Sequence, residues 1–388
     1  MPKTGDGSRA LAPEDGRSAA LRLRLRLGLR QCGTNFLRRF FPARLKSCPD
    51  GGSLRNWFKM PERQQDRQLD RLIDLLMENA TVVMSGTKLA SELRVPHSTL
   101  WELIERLREW GAEVRGLPGT GYQLVKVPDL LTPKMIRQRL HAGAFGSRIH
   151  HYYQVDSTMN EAARLAAAKA PHGALVVAEE QTAGRGRFGR SWFSPRGTGL
   201  YFTLILRPKL APAAAPILTL LAGVAVAEAV GELTGRPTDV RWPNDVLIRG
   251  KKCAGILVEM TAQPERVEHA QIGVGVNVNQ AEIPPELAAE ATSLRLETGR
   301  TISRLDVLGA ILKRMERHYH QLEERGAGAI VERFSEISSY ARGKRVRVTD
   351  NARVLTGETV GLSSEGKLLV RQDDGQIEAV LSGLVRPE

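Results

Sequence analysis

The sequence predicts an α+β fold in three parts, each with its own pattern. Residues 66–126 show the apolar spacing of short helices and end in a glycine-rich hairpin. Residues 134–340 mix strand-like and helix-like segments without a strict βαβ repeat, which predicts one mixed sheet backed by helices. The predicted strands are 149–155, 174–180, 200–206, 238–241, 255–261 and 270–276, and the predicted helices are 134–141, 159–169, 213–234 and 303–325. The alanine-rich helix 213–234 is expected to lie in the core. Residues 341–388 alternate apolar and polar positions in short runs between tight turns, which predicts a small β-barrel.

Residues 1–59 differ in charge from the rest of the chain. They hold 13 Lys/Arg and four Asp/Glu, so nine of the 13 net positive charges lie there. Their arginine-rich, acid-poor composition is similar to that of a mitochondrial transit peptide, but it forms no clean amphipathic helix. We expect residues 1–59 to be a disordered extension, or the product of an over-extended reading frame that truly starts at Met60. The high pI is therefore a weak indication of nucleic-acid binding by the folded part.

The cysteines and the lengths of the apolar runs indicate the compartment in which the protein works. The three cysteines, Cys32, Cys48 and Cys253, show neither metal-ligand spacing nor a disulfide framework, which favours a reducing cytoplasm. No apolar run reaches the roughly 18 residues of a membrane helix, so we expect no membrane association.

The helical part predicts a winged helix-turn-helix. Three helices are followed by a hairpin that pairs 112–115 with 122–125, and the third helix starts after the break at Val95-Pro96. In this arrangement the third helix enters the major groove of DNA. The predicted DNA contacts are His97, Ser98, Thr99 and Trp101, the first three also serving as the helix cap. Glu102 and Glu105 would repel phosphate, so a dimerisation or vestigial role stays open.

Glycine and arginine alternate in the loop 184–190, whose residues run Gly-Arg-Gly-Arg-Phe-Gly-Arg. Glycine lets the backbone approach a ligand closely, and arginine supplies a planar cation that suits phosphate. The spacing Gly184-x-Gly186-x-x-Gly189 also fits a dinucleotide-binding fingerprint, which requires a helix after the glycines. A turn-rich run and the strand 200–206 follow instead. The loop therefore joins strand to strand, which favours a mobile phosphate-binding loop over the fingerprint or a solvated linker.

A second polar cluster follows at Asn244, Asp245 and Lys252. Asn-Asp alone is more often a hairpin turn, and a lysine before a strand is more often a solvated edge residue. Together with a Gly/Arg loop in the same domain, they are the parts of a nucleotidyl-transfer site.

With these motifs assembled, the chain resembles the biotin protein ligases of the bifunctional ligase/repressor kind. The matching segments cover the chain from about residue 66 to its end and are Asp156–Asn160, Gln181 with 184–190, Arg241–Asp245, Lys252–Glu259 and Gly273–Asn277. The resemblance implies a central domain like a class II synthetase and a C-terminal barrel like an SH3 domain. It also implies that biotin reacts with ATP to give biotinyl-5′-adenylate, and that a lysine of a biotin carboxyl carrier protein then takes the biotin.

The resemblance also implies roles for single residues. Lys252, Arg187, Asp245 and Asn244 would be catalytic. Biotin would be bound by Ser157, Thr158, Asn160, Gln181, Gly184, Arg185, Arg187, Lys252, Gly255, Leu257, Gly273 and Gly275. ATP and the adenylate would be bound by Arg185, Arg187, Arg190, Trp192, Lys252 and Asn277. Mg²⁺ would accompany ATP near Asp245 without a dedicated protein site.

The resemblance implies the carrier protein, operator DNA and a homodimer as partners. The recognition helix is less basic than operator-binding members would suggest, so a ligase with a winged helix that does not bind DNA stays open. A lipoate or octanoyl transferase relative and a biotin sensor without catalysis stay open as well.

Overall fold

The computed structural model describes residues 62–140, 143–350 and 353–388. The expectation for residues 1–59 lies outside the described residues. Within them, a helical N-terminal part, a mixed central sheet and an antiparallel C-terminal sheet follow one another, which confirms the α+β fold class.

The N-terminal part has the predicted winged helix-turn-helix order. Its elements are α1 (Glu62–Glu78), α2 (Gly86–Leu93), α3 (His97–Glu109), β1 (Glu113–Leu117) and β2 (Gly121–Lys126). Leucines and isoleucines of the three helices form one core with Val114 of the wing. The cap predicted for the third helix is wrong: α3 begins at His97 itself, and Pro96, whose side chain can offer no capping hydrogen bond, occupies the N-cap.

The central part is a seven-stranded mixed sheet. Its strands are β3 (Ile149–Tyr152), β4 (Ala174–Ala178), β5 (Leu200–Leu206), β6 (Thr238–Arg241), β7 (Asp245–Ile248), β8 (Lys251–Ala262) and β9 (Val267–Val276). Their order across the sheet is β3-β4-β5-β9-β8-β7-β6. Only β3 and β4 pair in parallel. The sequence predicts each of these strands except β7, which it assigns to a turn.

Helices accompany this sheet. They are α4 (Pro133–Arg139), α5 (Thr158–Ala167), α6 (Ile217–Thr234), α7 (Leu294–Thr298), α8 (Arg304–Arg325) and α9 (Gly328–Ile337). The stretch Pro212–Thr234, which contains α6, is long and apolar enough to span a membrane by composition. It is nonetheless mostly buried within the fold, as predicted for a core helix.

The C-terminal part is a five-stranded antiparallel sheet. Its strands are β10 (Arg342–Asp350), β11 (Arg353–Leu362), β12 (Leu368–Arg371), β13 (Ile377–Val380) and β14 (Leu384–Pro387). They are arranged β13-β12-β11-β10-β14, and the SH3-like class is confirmed. The indole N–H of Trp242 donates to the carbonyl of Gly366 at 3.0 Å, so this sheet packs beside the turn that follows β6.

The connection between β4 and β5 brings the motifs together. It contains the whole Gly/Arg stretch and ends in an antiparallel strand pair. A single 3₁₀ turn, Arg187–Gly189, lies within it. The structure therefore gives the strand-to-strand geometry that the sequence predicts, and not the strand–helix geometry of a dinucleotide fingerprint.

Candidate active site

One pocket collects most of the predicted residues on a face of the central sheet. It lies between the first turn of α5, the β4–β5 connection and the middle of β8 and β9. Twelve predicted residues line it: Ser157, Thr158, Gln181, Arg185, Arg187, Trp192, Asn244, Lys252, Gly255, Leu257, Gly273 and Gly275. Met159, Gly186, Ile256 and Val274 complete the lining.

The inner end of the pocket is polar but uncharged. The Oε1 atom of Gln181 accepts from the backbone N–H of Thr158 at 2.9 Å and from its hydroxyl at 3.1 Å. The amide nitrogen of Gln181 donates to Ser194 Oγ at 2.8 Å. Ser157 is the N-cap of α5 and is fully buried. These groups present both donors and acceptors to a neutral polar ligand.

The middle of the pocket is a strip of glycines on neighbouring strands. Gly255 of β8 lies opposite Gly275 of β9 in the sheet. A Cβ atom at Gly275 would lie 2.4 Å from Trp192 Cε2, and one at Gly273 would lie 2.6 Å from Met159 Sδ. The missing side chains therefore leave a channel across the sheet, in which Trp192 and Met159 now lie. The remaining cavity measures about 50 Å³.

The outer end of the pocket is cationic. Lys252 Nζ lies 2.6 Å from Asp245 Oδ1, and Arg241 donates to Asp245 Oδ2 at 2.8 Å. Burial alone would raise the pKa of the Asp245 carboxyl, but Lys252 and Arg241 hold it below its usual value. Asp245 therefore stays ionised and fixes the position of the lysine. Lys252 also lies 5.1 Å from the ring centroid of Trp192.

Arg187 ties the Gly/Arg loop to two other parts of the fold. Its guanidinium donates to Asn244 Oδ1 at 2.7 Å, to Ser382 Oγ at 3.0 Å and to the carbonyl of Gly383 at 3.3 Å. Arg187 is thus the point at which the loop, the β6–β7 turn and the C-terminal sheet meet.

The other loop residues lie farther out. Arg185 pairs with Glu259 at 2.5 Å and donates to Asn160 Oδ1 at 3.0 Å, so both predicted residues lie at the lip of the pocket. Arg190 is exposed. A Cβ atom at Gly184 would lie 2.5 Å from the carbonyl oxygen of Trp192, so this glycine is needed for the loop to fold on itself.

The sequence does not predict the surroundings of Asn277, Arg241 and Arg386. Asn277 lies outside the pocket lining, and its amide donates to the carbonyl of Thr292 at 3.0 Å. Among the described residues, Arg241 Nε and Arg386 Nη1 are buried without a hydrogen-bond partner. The sequence alone assigns neither arginine a role. Arg241 stands within a recognisable motif, whereas Arg386 resembles any charged residue at a strand end.

Profiles of three known domains match the chain. The biotin/lipoate A/B protein ligase family matches residues 152–277, the biotin protein ligase C-terminal domain 342–385, and a helix-turn-helix domain 68–123. Fold and pocket thus define a member of the biotin and lipoate ligase class.

Whole-chain relatives narrow the class. The bifunctional ligase/repressor BirA of Bacillus subtilis is 39% identical over 314 residues, which are 78% of this chain and 94% of the relative. BirA of Escherichia coli is 29% identical over 289 residues, covering 74% of this chain and 88% of the relative. The biotin protein ligase of Aquifex aeolicus, solved with biotin and ATP, has a TM-score of 0.55 and 33% identity, covering 62% of this chain and 100% of that structure. The chain belongs to the biotin protein ligase family, in its bifunctional ligase/repressor branch.

Proposed function

We propose that the chain joins biotin to a carrier protein in two steps and represses transcription through its winged helix. The observation that carries the ligase assignment is the pocket itself. It runs from a neutral polar end, along an apolar glycine-lined channel, to a fixed lysine. Biotin has the same order of groups: a ureido ring, an apolar ring and chain, and a carboxylate.

Biotin would lie along the glycine strip. Ser157, Thr158 and Gln181 would hydrogen-bond the ureido group, and Lys252 would hold the carboxylate. The indole of Trp192 lies against Gly275 and would have to move before the chain of biotin could enter. We therefore propose that biotin binding displaces Trp192, which can then close over the ligand.

The first step would take place between Lys252 and Arg187. A carboxylate oxygen of biotin attacks the α-phosphorus of ATP, the bond from that phosphorus to the bridging oxygen breaks, and pyrophosphate leaves. Arg187, with Arg185 and Arg190, would neutralise the phosphates, so the chain contributes mainly positioning and charge. The unpartnered nitrogens of Arg241 and Arg386 supply further buried cationic donors near Asp245, which supports an anion site there.

Mg²⁺ would be bound by the phosphates of ATP and not by a dedicated site of the protein. In the part of the chain that the structure describes, no three His, Cys, Asp or Glu side chains form a metal site. Both carboxylate oxygens of Asp245 already contact cationic side chains. We therefore assign Asp245 to positioning Lys252 and leave the metal to the phosphates.

The second step would transfer biotin to the carrier. A lysine amine of the biotin carboxyl carrier protein attacks the acyl carbon, AMP leaves, and an amide bond forms. The free mixed anhydride would be hydrolysed in water, so the Gly/Arg loop must cover it until the carrier arrives.

The edge of β8 offers a surface for a second copy. Strand β7 pairs with β8 only as far as Gly255, and within the described residues no other strand pairs with that side of 257–262. Met260 is 43% exposed there. We propose a homodimer that pairs through this edge.

We also propose a cytoplasmic location, which the free, buried thiol of Cys253 supports.

DNA would be read by the start of α3. Trp101 is 50% exposed, and His97 is also exposed. Farther along α3, Arg106 pairs with Asp66 at 3.4 Å and Arg108 pairs with Glu105 at 2.5 Å. Since these arginines are occupied, we assign base contacts to His97, Ser98, Thr99 and Trp101. A gel shift with the promoter of the organism's own biotin genes, with and without biotin plus ATP, tests this. Equal mobility in all lanes would leave a ligase with a winged helix that does not bind DNA.

Pyrophosphate release tests the ligase assignment. We expect release from ATP with biotin but not with lipoate or octanoate, and loss of release in Lys252→Gln. Release with lipoate would instead favour the related transferase chemistry. Biotin binding without release would favour a sensor.

A further inference from the structure

The connection between β4 and β5 is closed at its base. The backbone N–H of Gly197 donates to the carbonyl of Glu179 at 3.0 Å. We call residues 179–197 the adenylation loop, because Gln181, Arg187 and Trp192 all lie within it. Just inside the base, Gln181 donates through its backbone N–H to the Ser194 carbonyl at 3.3 Å and through its amide to Ser194 Oγ at 2.8 Å.

The winged helix is linked to one end of this base by a chain of two ion pairs centred on a buried histidine. His151 of β3 has a fully buried side chain, with Nδ1 3.0 Å from Asp70 of α1 and Nε2 3.2 Å from Glu179. Burial alone would lower the pKa of His151, but the two carboxylates raise it to about 10. The imidazolium thus bridges a carboxylate of the winged helix and a carboxylate of the loop base.

Glu179 is held from its other side as well. Its Oε1 accepts from the backbone N–H of Leu131 at 2.7 Å, and its Oε2 lies 2.8 Å from Arg304 Nη1. Arg304 also lies 3.0 Å from Asp129 of the interdomain linker. The side chains of His151, Glu179 and Arg304 are fully buried, so breaking one of their contacts would leave an uncompensated buried charge. These contacts therefore hold Glu179 in place.

The winged helix contacts the other side of the base through an aromatic ring. The guanidinium carbon of Arg196 lies 3.6 Å from the ring centroid of Trp110, which is the C-cap of α3. Trp110 is itself packed against Tyr153, with ring centroids 5.1 Å apart. Arg196 directly precedes Gly197. The loop base is therefore joined to the N-terminal domain at both ends, indirectly through His151 at Glu179 and directly through Arg196 at Trp110.

We propose that the winged helix clamps the base of the adenylation loop and thereby positions Gln181 for biotin. Asp70 and Arg196 act as positioning residues: neither lines the pocket, yet Gln181 is two residues from Glu179 and its partner Ser194 is two residues from Arg196. If the base loosens, Gln181 loses its fixed place between Thr158 and Ser194. The inference rests on the proposed role of Gln181 in binding biotin.

Two variants of the full chain test the clamp. Asp70→Asn keeps the shape of the side chain but removes its charge, and Arg196→Gln removes the cation over Trp110. We expect each to raise the KM for biotin by roughly two- to fivefold. For Arg196 this is the loss of a cation–π contact of ~0.5–1 kcal/mol, converted at ~1.4 kcal/mol per factor of ten. The KM for ATP and kcat should stay unchanged. Arg196→Lys, which keeps a cation over the ring, should restore the KM in part.

Two controls separate the possible outcomes. Arg115→Gln changes an exposed arginine of the same domain and should leave every constant unchanged. Gln181→Ala should raise the KM for biotin more than either clamp variant. If Gln181→Ala raises it while Asp70→Asn and Arg196→Gln match Arg115→Gln, the clamp is refuted. If Gln181→Ala has no effect, the assignment of Gln181 fails instead. Thermal unfolding of each variant identifies any that is simply unfolded.

Discussion

Arg187→Gly tests whether the Gly/Arg loop retains the adenylate. The substitution removes three hydrogen bonds that join the loop to Asn244, Ser382 and Gly383. Hydrogen bonds to charged groups contribute ~1.5–3 kcal/mol each. Loss of one such contact with the product corresponds to roughly a 10- to 100-fold faster escape of biotinyl-adenylate, since ~1.4 kcal/mol is a factor of ten. Escaped adenylate would acylate lysines without selection.

The assay compares two quantities in wild type and variant. The first is the rate at which pre-formed, labelled adenylate leaves the protein in a chase. The second is the ratio of biotin on a bystander protein, such as albumin, to biotin on the carrier. Arg185→Gln is the matched control, because Arg185 pairs with Glu259 at the lip of the pocket and should retain the product better than the Arg187 variant. Equal escape rates and equal confinement of biotin to the carrier in wild type and Arg187→Gly would refute the reasoning.

Two further predictions concern the glycine strip and the buried histidine. Gly275→Ala puts a methyl group 2.4 Å from the Trp192 ring, and such overpacking costs ~1–3 kcal/mol. The KM for biotin should rise by about tenfold or more, whereas Gly328→Ala, in open space, should change nothing; an unchanged KM would exclude the strip as the biotin channel. The pKa of His151 is raised from 6.5 to about 10, so its stabilisation is complete below pH 6.5 and is lost as the pH rises through 10. The wild-type free energy of unfolding should therefore lose ~1.4 kcal/mol per pH unit from this group between pH 7 and 9. Asp70→Asn lowers the pKa of His151 and should flatten that slope in urea titrations; identical slopes would show that Asp70 does not hold the proton.

The sequence predicts the architecture well because hydrophobic periodicity and turn chemistry act locally. The structure contains the predicted strands and helices of the central part in the predicted order, and adds β7, α7 and α9, which the sequence does not predict. Strand β7 is only four residues long and follows Asn244, and such a short apolar run after a turn signal is ambiguous. The cap of α3 is misplaced by the sequence because Pro96 looks like a break, whereas it serves as the N-cap directly before the helix.

The sequence predicts those residues of the site that lie in short motifs, but not the contacts that only tertiary packing creates. Lys252, Asn244 and Gln181 stand in short segments with unusual composition, and the fold brings them to one pocket. The two ion pairs that link Asp70, His151 and Glu179 join residues far apart in sequence, and no local sequence motif marks any of the three. Only the tertiary packing of α1 against β3 brings their charges together. Arg386 is likewise recognisable only once β14 has placed it near Asp245.

The measurement closest to the central claim is the intact mass of a purified carrier domain after incubation with this chain, biotin and ATP. If the chain is a biotin protein ligase, the carrier should gain the mass of one biotinyl group on a single lysine. The same activity predicts no addition without ATP or with Lys252→Gln. An unmodified carrier despite correctly folded chain, or a carrier modified by lipoate as readily as by biotin, would contradict the proposed activity.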